Sequence, residues 1–183
     1  MKIRIEPDQN QINRALLFCK SFPGKLEKAL PRATNRALVA GRTQIVKSVA
    51  GKYTLKAGKV RRSITLLSAS KGKNEGVLIV RGSNLPLREF SHTPRVEATT
   101  GDKRRPVKVR ELRGGAPELI AKGFKWKGHI FHREDDRKIK KDFRTGIVAK
   151  AMETSPDVEE RMKEVLAARL DHEIKVILDG TVK

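Results

Sequence analysis

The segment from Pro23 to about Ala50 constrains the fold most, because its residue spacing predicts one long helix. Its apolar and small residues recur every three or four positions and therefore share one helix face: Leu26, Leu30, Ala33, Ala37, Ala40 and Gly41. Basic residues line the far side of the same helix: Lys25, Lys28, Arg32 and Arg36. We therefore expect the first face to be buried, with Arg32 and Arg36 pointing outward. Pro31 predicts that the regular helix either begins near this residue or kinks there.

Shorter elements are predicted on both sides of this helix. Ile3 and Ile5 alternate with basic residues and predict a short strand, and a helical pattern follows at about 9–20. The sequence LKAGKVRRSI (55–64) predicts a short second helix. SITLLSAS (63–70) and GVLIVRGS (76–83) predict two strands joined by a polar link.

The second half of the chain has the pattern of strands followed by a helix. The run 85–112 predicts an extended segment and a strand on either side of a charged turn, and 119–134 predicts a hairpin with Gly128 near its turn. Ser155 and Pro156 are a good N-cap and first residue for a last helix. The predicted fold class is α+β: a long N-terminal helix, a mostly antiparallel β-sheet with a basic loop, and a closing C-terminal helix. We expect one domain over residues 1–183, with the basic loop inserted at about 99–115.

The net charge narrows the classes of partner. Lys and Arg number 41 against 21 Asp and Glu, giving +20 at pH 7. Such a charge attracts polyanions, which include nucleic acid, acidic protein surfaces and anionic lipid. Only the segment 157–179 is acidic, so one end of the chain is able to bind the rest of the same chain or a neighbouring subunit.

The densest basic stretch lies in mid-chain and predicts contact with nucleic-acid phosphates. The candidate contacts are Lys71, Lys73, Lys103, Arg104, Arg105, Lys108, Arg110 and Arg113. Such contacts give affinity without a choice of base sequence. We expect residues 99–115 to form a flexible hairpin or loop outside the core, because Thr, Gly and Pro bracket the charges. The aromatic residues Tyr53, Phe124, Trp126 and Phe131 are too scattered in the sequence to predict a base-stacking platform.

The motifs for catalysis and metal binding are weak, and we predict no enzyme, no cofactor and no metal site. Asp136-Arg137-Lys138, with Glu118 upstream, matches the acid-x-Lys element of metal nucleases, but charged chains contain such triplets by chance. His129 and His132 would point to opposite faces of a strand, which is wrong for joint zinc ligation. Cys19 is the single cysteine, so no intrachain disulfide is possible. No signal peptide and no membrane contact are expected.

Several segments, taken in order, resemble the minor tail protein Z family of tailed phages and prophages, also described as tail completion proteins. The matching positions extend over roughly 25–175: Asn35-Arg36 in the long helix, Leu85-Pro86-Leu87 with Phe90, the basic run 103–113, Phe124 and Arg133. Gly123 stands where the family usually has Ala. The Arg-x-Pro-Ile element that often follows the family's hairpin is replaced here by DDRKIKKDF.

The resemblance implies a structural virion protein that completes the head-proximal end of a tail and helps join it to the head. It also implies a homo-oligomeric ring around the DNA passage, with other tail and neck proteins as partners, assembled in the bacterial host cytoplasm. The basic loop would then face packaged DNA. Two alternatives remain: a non-specific nucleic-acid-binding protein of ribosomal or nucleoid type, and a metal-dependent nuclease.

Overall fold

The computed structural model describes residues 2–18, 23–82, 84–95, 106–135, 138–144, 146–149 and 157–179. The fold class is α+β, as predicted, with a long N-terminal helix, antiparallel sheets and a C-terminal helix. The chain forms two compact units, residues 1–45 with 64–80 and 153–183, and residues 46–63 with 81–152. The single domain expected from the sequence stays a prediction. Among the described helices, none is both long and apolar enough to span a membrane.

The first unit combines helices with one small sheet. Its elements are β1 (Lys2–Ile5), α1 (Gln9–Phe18), α2 (Pro23–Lys52) as far as residue 45, β2 (Ile64–Leu67), β3 (Gly76–Val80) and α4 (Asp157–Leu178). All strand pairs are antiparallel and the order is β1-β3-β2, so the N-terminal strand lies beside β3. Ile3 and Ile5 are buried, as their alternation predicted.

Helix α2 buries the face that its spacing predicted. Leu26, Leu30, Ala33 and Ala37 are buried, whereas Arg32 and Arg36 are exposed. The helix continues through Pro31 without ending, so the possibility that it begins near Pro31 is wrong.

The helices α2 and α4 approach each other closely at Gly41. A Cβ built on Gly41 would lie 2.4 Å from the Met162 Sδ atom and 2.6 Å from its Cγ. Met162 belongs to the buried ridge of α4, together with Leu166 and Leu170. A side chain at position 41 would therefore require the Met162 side chain to move.

The Asn of the Asn35-Arg36 pair has a structural role. The Asn35 side chain donates from Nδ2 to the Ala69 carbonyl (3.0 Å) and accepts from the Ala69 N–H at Oδ1 (2.8 Å). This reciprocal pair fixes α2 to the backbone just after β2. Both backbone groups of a buried residue are thereby satisfied.

The second unit contains short antiparallel strands, the end of α2, one further short helix and the helical residues 147–149. Its elements are α3 (Ala57–Arg62), β4 (Leu85–Pro86), β5 (Ser91–Thr93), β6 (Val107–Arg110), β7 (Glu118–Ile120), β8 (Gly123–Trp126), β9 (His129–Arg133), β10 (Ile139–Lys141) and β11 (Phe143–Arg144). They form sheets in the orders β5-β6-β7, β10-β9-β8 and β4-β11. The 3₁₀ turn Leu87–Glu89 packs against β9.

The predicted hairpin around Gly128 is confirmed. Strands β8 and β9 are joined by Lys127 and Gly128, whose φ angles are 45° and 70°. Two successive positive φ angles define the tight turn that matches the twist of a hairpin. The predicted Ser155-Pro156 start of the last helix lies outside the described residues.

Candidate nucleic-acid interface

The part of the basic stretch that the structure describes forms the middle strand of a sheet. In β6, Val107 and Val109 are buried while Lys108 and Arg110 are exposed on the opposite side. Lys108 pairs with Thr93 of β5 and Leu119 of β7, and Arg110 pairs with Ser91. The strand expected after the charged turn is therefore confirmed at 107–110, whereas the expectation that all of 99–115 lies outside the core is wrong for Val107 and Val109. The alternating valines give this segment a face to bury.

Two of the candidate nucleic-acid contacts, Lys108 and Arg110, thus lie on the outer side of a hydrogen-bonded strand. Thr54 secures this end of the sheet: its hydroxyl donates to the Arg110 carbonyl and accepts from the Ser91 N–H at 3.0 Å. Lys108 and Arg110 both lie on the outer side of the sheet, two residues apart. Residues i and i+2 of a strand lie roughly 6.6 Å apart. This spacing suits contact with neighbouring phosphates of a nucleic-acid backbone.

Arg113, another candidate nucleic-acid contact, has a role within the fold. Its Nε donates to the Ala50 carbonyl at 2.7 Å, and its backbone N–H donates to the Lys52 carbonyl at 3.0 Å. These carbonyls belong to the last turn of α2, and the last carbonyls of a helix need partners from outside it. Arg113 therefore caps the helix C-terminus, where its positive charge also complements the helix dipole.

The remaining candidate nucleic-acid contacts do not lie beside Lys108 and Arg110 in the described residues. Lys71 is exposed in the first unit and forms a salt bridge with Glu27 at 3.0 Å, while Lys73 lies in the same turn. Lys103, Arg104 and Arg105 lie outside the described residues. The structure thus brings together Lys108 and Arg110 in one sheet and places Lys71 and Lys73 in the other unit.

Arg144 holds two carboxylates close to the β5-β6-β7 sheet. It forms salt bridges with Glu111 and, at 2.7 Å, with Glu118. Burial alone would lower the pKa of Arg144, but the hydrogen bonds and charges of the two carboxylates raise it. Glu118 is the acid upstream of the weak nuclease match, and its carboxylate is therefore paired with Arg144. Asp136 lies outside the described residues.

The two histidines that suggested a metal site have separate partners. His129 Nε2 lies 2.9 Å from an Arg88 guanidinium nitrogen and 3.3 Å from Lys141 Nζ. Partial burial and the positive charges of Arg88 and Lys141 lower the pKa of His129. His132 Nδ1 instead bonds to Asp142 Oδ1 at 2.6 Å. The described residues contain no group of His, Cys, Asp and Glu that would hold a metal ion.

Glu89 lies at the centre of a neighbouring charged cluster. It bonds to Lys59 Nζ at 2.8 Å and lies 3.4 Å from Arg88 Nε. Burial alone would raise the pKa of Glu89, but the bonds and charges of Lys59 and Arg88 lower it. This cluster joins α3 to the 3₁₀ turn and is typical of a structural ion-pair network.

The expectation that the aromatic residues are scattered is wrong for three of them. Phe124 and Phe131 pair across β8 and β9, and Trp126 lies two residues from Phe124 on the same side. The ring centroid of Phe131 lies 6.0 Å from that of Phe124 and 5.8 Å from that of Trp126. The alternate spacing and the two-residue Lys-Gly turn are the sequence signals that predict this grouping.

We expect binding of the protein to duplex DNA to be weak, indifferent to sequence and steeply dependent on salt. Changing Lys103, Arg104, Arg105 and Lys108 together to Ser should flatten the log–log salt slope by about 0.9 for each phosphate that the variant no longer neutralises. The fold should survive, because Lys108 is on the exposed side of β6. Fluorescence anisotropy at a series of salt concentrations measures the slope, and circular dichroism checks the fold.

The matched control changes four exposed basic residues elsewhere to Ser: Lys47, Lys56, Arg61 and Arg62. This control variant removes four positive charges, as many as the mid-chain variant does. An equal flattening by both variants would show that net charge, and not the mid-chain stretch, governs binding.

No family model, curated protein or solved structure matches the chain.

Proposed function

We propose that this chain is a structural protein of a tailed-phage virion. It completes the head-proximal end of the tail and helps join tail to head around the DNA passage, as a homo-oligomeric ring. Its partners are other tail and neck proteins, with non-specific contact to packaged DNA. It catalyses no reaction and uses no cofactor.

The ordered resemblance to tail completion proteins supports this proposal, and four of its matching residues help to hold the fold together. Asn35 bonds to the Ala69 backbone, and Leu85, Leu87 and Phe90 are buried. Members of a structural protein family share residues of this kind, because packing and not chemistry fixes these positions.

The observation that carries the ring is an acidic stripe on α4. Four exposed acidic residues follow one line along the helix, since their spacings of three, four and seven residues keep them on one side: Asp157, Glu160, Glu164 and Asp171. The buried ridge of Met162, Leu166 and Leu170 lies on the opposite side. The stripe therefore faces away from the core of its own unit.

An acidic stripe on a chain of net charge +20 is complementary to the surface of a second copy. A contact between two different patches repeats from subunit to subunit and closes into a ring when the rotation allows. Opposite charges also steer the copies together and fix their register.

The proposed ring predicts that assembly depends on this stripe and on salt. Light scattering after size-exclusion chromatography should show an oligomer at about 0.05 M salt and smaller species at about 1 M, because screening weakens exposed ion pairs. Glu160→Lys with Asp171→Lys should abolish the oligomer at low salt. The control, Glu134→Lys with Asp135→Lys, makes the same charge change in the second unit and should assemble normally. A monomer at every salt concentration, or equal loss in both variants, would contradict the ring.

The role in the virion is tested separately. Interrupting the gene in the phage or prophage that encodes it should leave filled heads and tails unjoined in electron micrographs of the lysate. Complementation with the wild-type gene should restore whole particles. Intact infectious particles without the protein would overturn the proposed function, whatever the oligomeric state.

A further inference from the structure

An aromatic surface lies on one side of the β10-β9-β8 sheet. Phe124, Trp126 and Phe131 form it, with Phe124 and Phe131 stacked at an interplanar angle of 22°. Trp126 is 50% exposed. Three of the chain's eight Phe, Trp and Tyr residues therefore share one surface, and such a concentration is typical of an interaction site.

Positive charges lie over two of the rings. Lys127 Nζ lies over the Trp126 ring, 4.7 Å from its centroid, and the Arg133 guanidinium carbon lies over the Phe124 ring, 5.9 Å from its centroid. Lys141, which pairs with Phe131, extends the charge to the third strand. None of β8, β9 and β10 contains an Asp or Glu. The occupant is therefore expected to combine planar rings with negative charge.

The exposed rings favour an extended single strand over a duplex. In a duplex the base faces are occupied by their neighbours, so its phosphates alone would reach this surface. An unstacked strand offers both base faces and phosphates, the combination that aromatic platforms with basic rims bind. An acidic protein would use the cations but not the rings.

We propose that Trp126, Phe124 and Phe131 form a stacking site for the bases of single-stranded nucleic acid, with Lys127, Arg133 and Lys141 placed for its phosphates. The site does not depend on the proposed virion role. It is distinct from the surface of Lys108 and Arg110, which belongs to the β5-β6-β7 sheet.

Trp126 is the only tryptophan, so its fluorescence reports directly on this site. An oligothymidylate of about twelve nucleotides should quench it saturably at about 0.15 M salt, whereas a duplex of equal length should quench it little. Trp126→Ala should weaken binding of a labelled oligothymidylate at least about fivefold in anisotropy titrations, and Trp126→Phe should retain most of the affinity. A matching oligouridylate shows whether the site separates DNA from RNA.

The control variant is Leu67→Ala, which changes a similarly exposed apolar residue on β2 in the first unit and should bind like the wild type. Thermal melts establish that each variant is folded. Equal affinity for single strand and duplex, unchanged binding by Trp126→Ala, or equal quenching by polyglutamate would each overturn the proposal. The last result would assign the surface to an acidic protein instead.

Discussion

Ala37→Asp should leave the protein unfolded or insoluble at 25 °C. Ala37 is 0% exposed on the inner face of α2, close to Ala33 and Leu38, which are also buried. A carboxylate there would lose its hydration among apolar neighbours. The cost of such burial is several kcal/mol, about 4 or more, which is a large part of the stability of an ordinary domain. Circular dichroism and the yield of soluble protein measure the effect.

Val39→Asp is the matched control, because it introduces the same charge two residues further along the same helix. Val39 is exposed, so the new carboxylate stays in water and the free energy of unfolding should change by less than about 1 kcal/mol. Wild-type stability of Ala37→Asp, or similar losses in both variants, would show that the burial of α2 is assigned to the wrong face.

Gly41→Leu should lower the free energy of unfolding by about 2 kcal/mol, although leucine is the better helix former. The new side chain would overlap Met162, which is buried and cannot move into solvent. Melting temperature and urea denaturation measure the loss. Gly51→Leu is the control: this glycine is in the same helix with nothing within 4 Å of a built Cβ, and the change should be neutral or stabilising.

A double-mutant cycle tests whether Met162 is the cause. Met162→Ala alone should cost about 2–5 kcal/mol because it leaves a cavity. In Gly41→Leu with Met162→Ala, the leucine fills that space, so the combined loss should be at least about 1 kcal/mol smaller than the sum. Strictly additive losses would mean that α2 and α4 do not meet at this point.

The candidate site was only partly predictable. The alternation in VKVR indicates that Lys108 and Arg110 share an exposed side, because a strand with two buried valines has no other arrangement. Nothing local indicates that Arg113 would bond to the Ala50 carbonyl, 63 residues earlier. The basic residues of this run look alike in the sequence. In the folded chain, Lys108 and Arg110 lie on the outer side of a sheet, whereas Arg113 caps a helix.

The sequence by itself determined the local elements: the buried face of α2, the short α3 and the β8–β9 hairpin with its Lys-Gly turn. Covalent geometry repeats side-chain positions every 3.6 residues in a helix and every two in a strand, so spacing alone reveals them. Only the tertiary structure decided that β1 pairs with β3 and that Asn35 bonds to Ala69. These outcomes depend on which distant segments bury each other's apolar faces and satisfy each other's backbone groups, and that competition involves the whole chain at once.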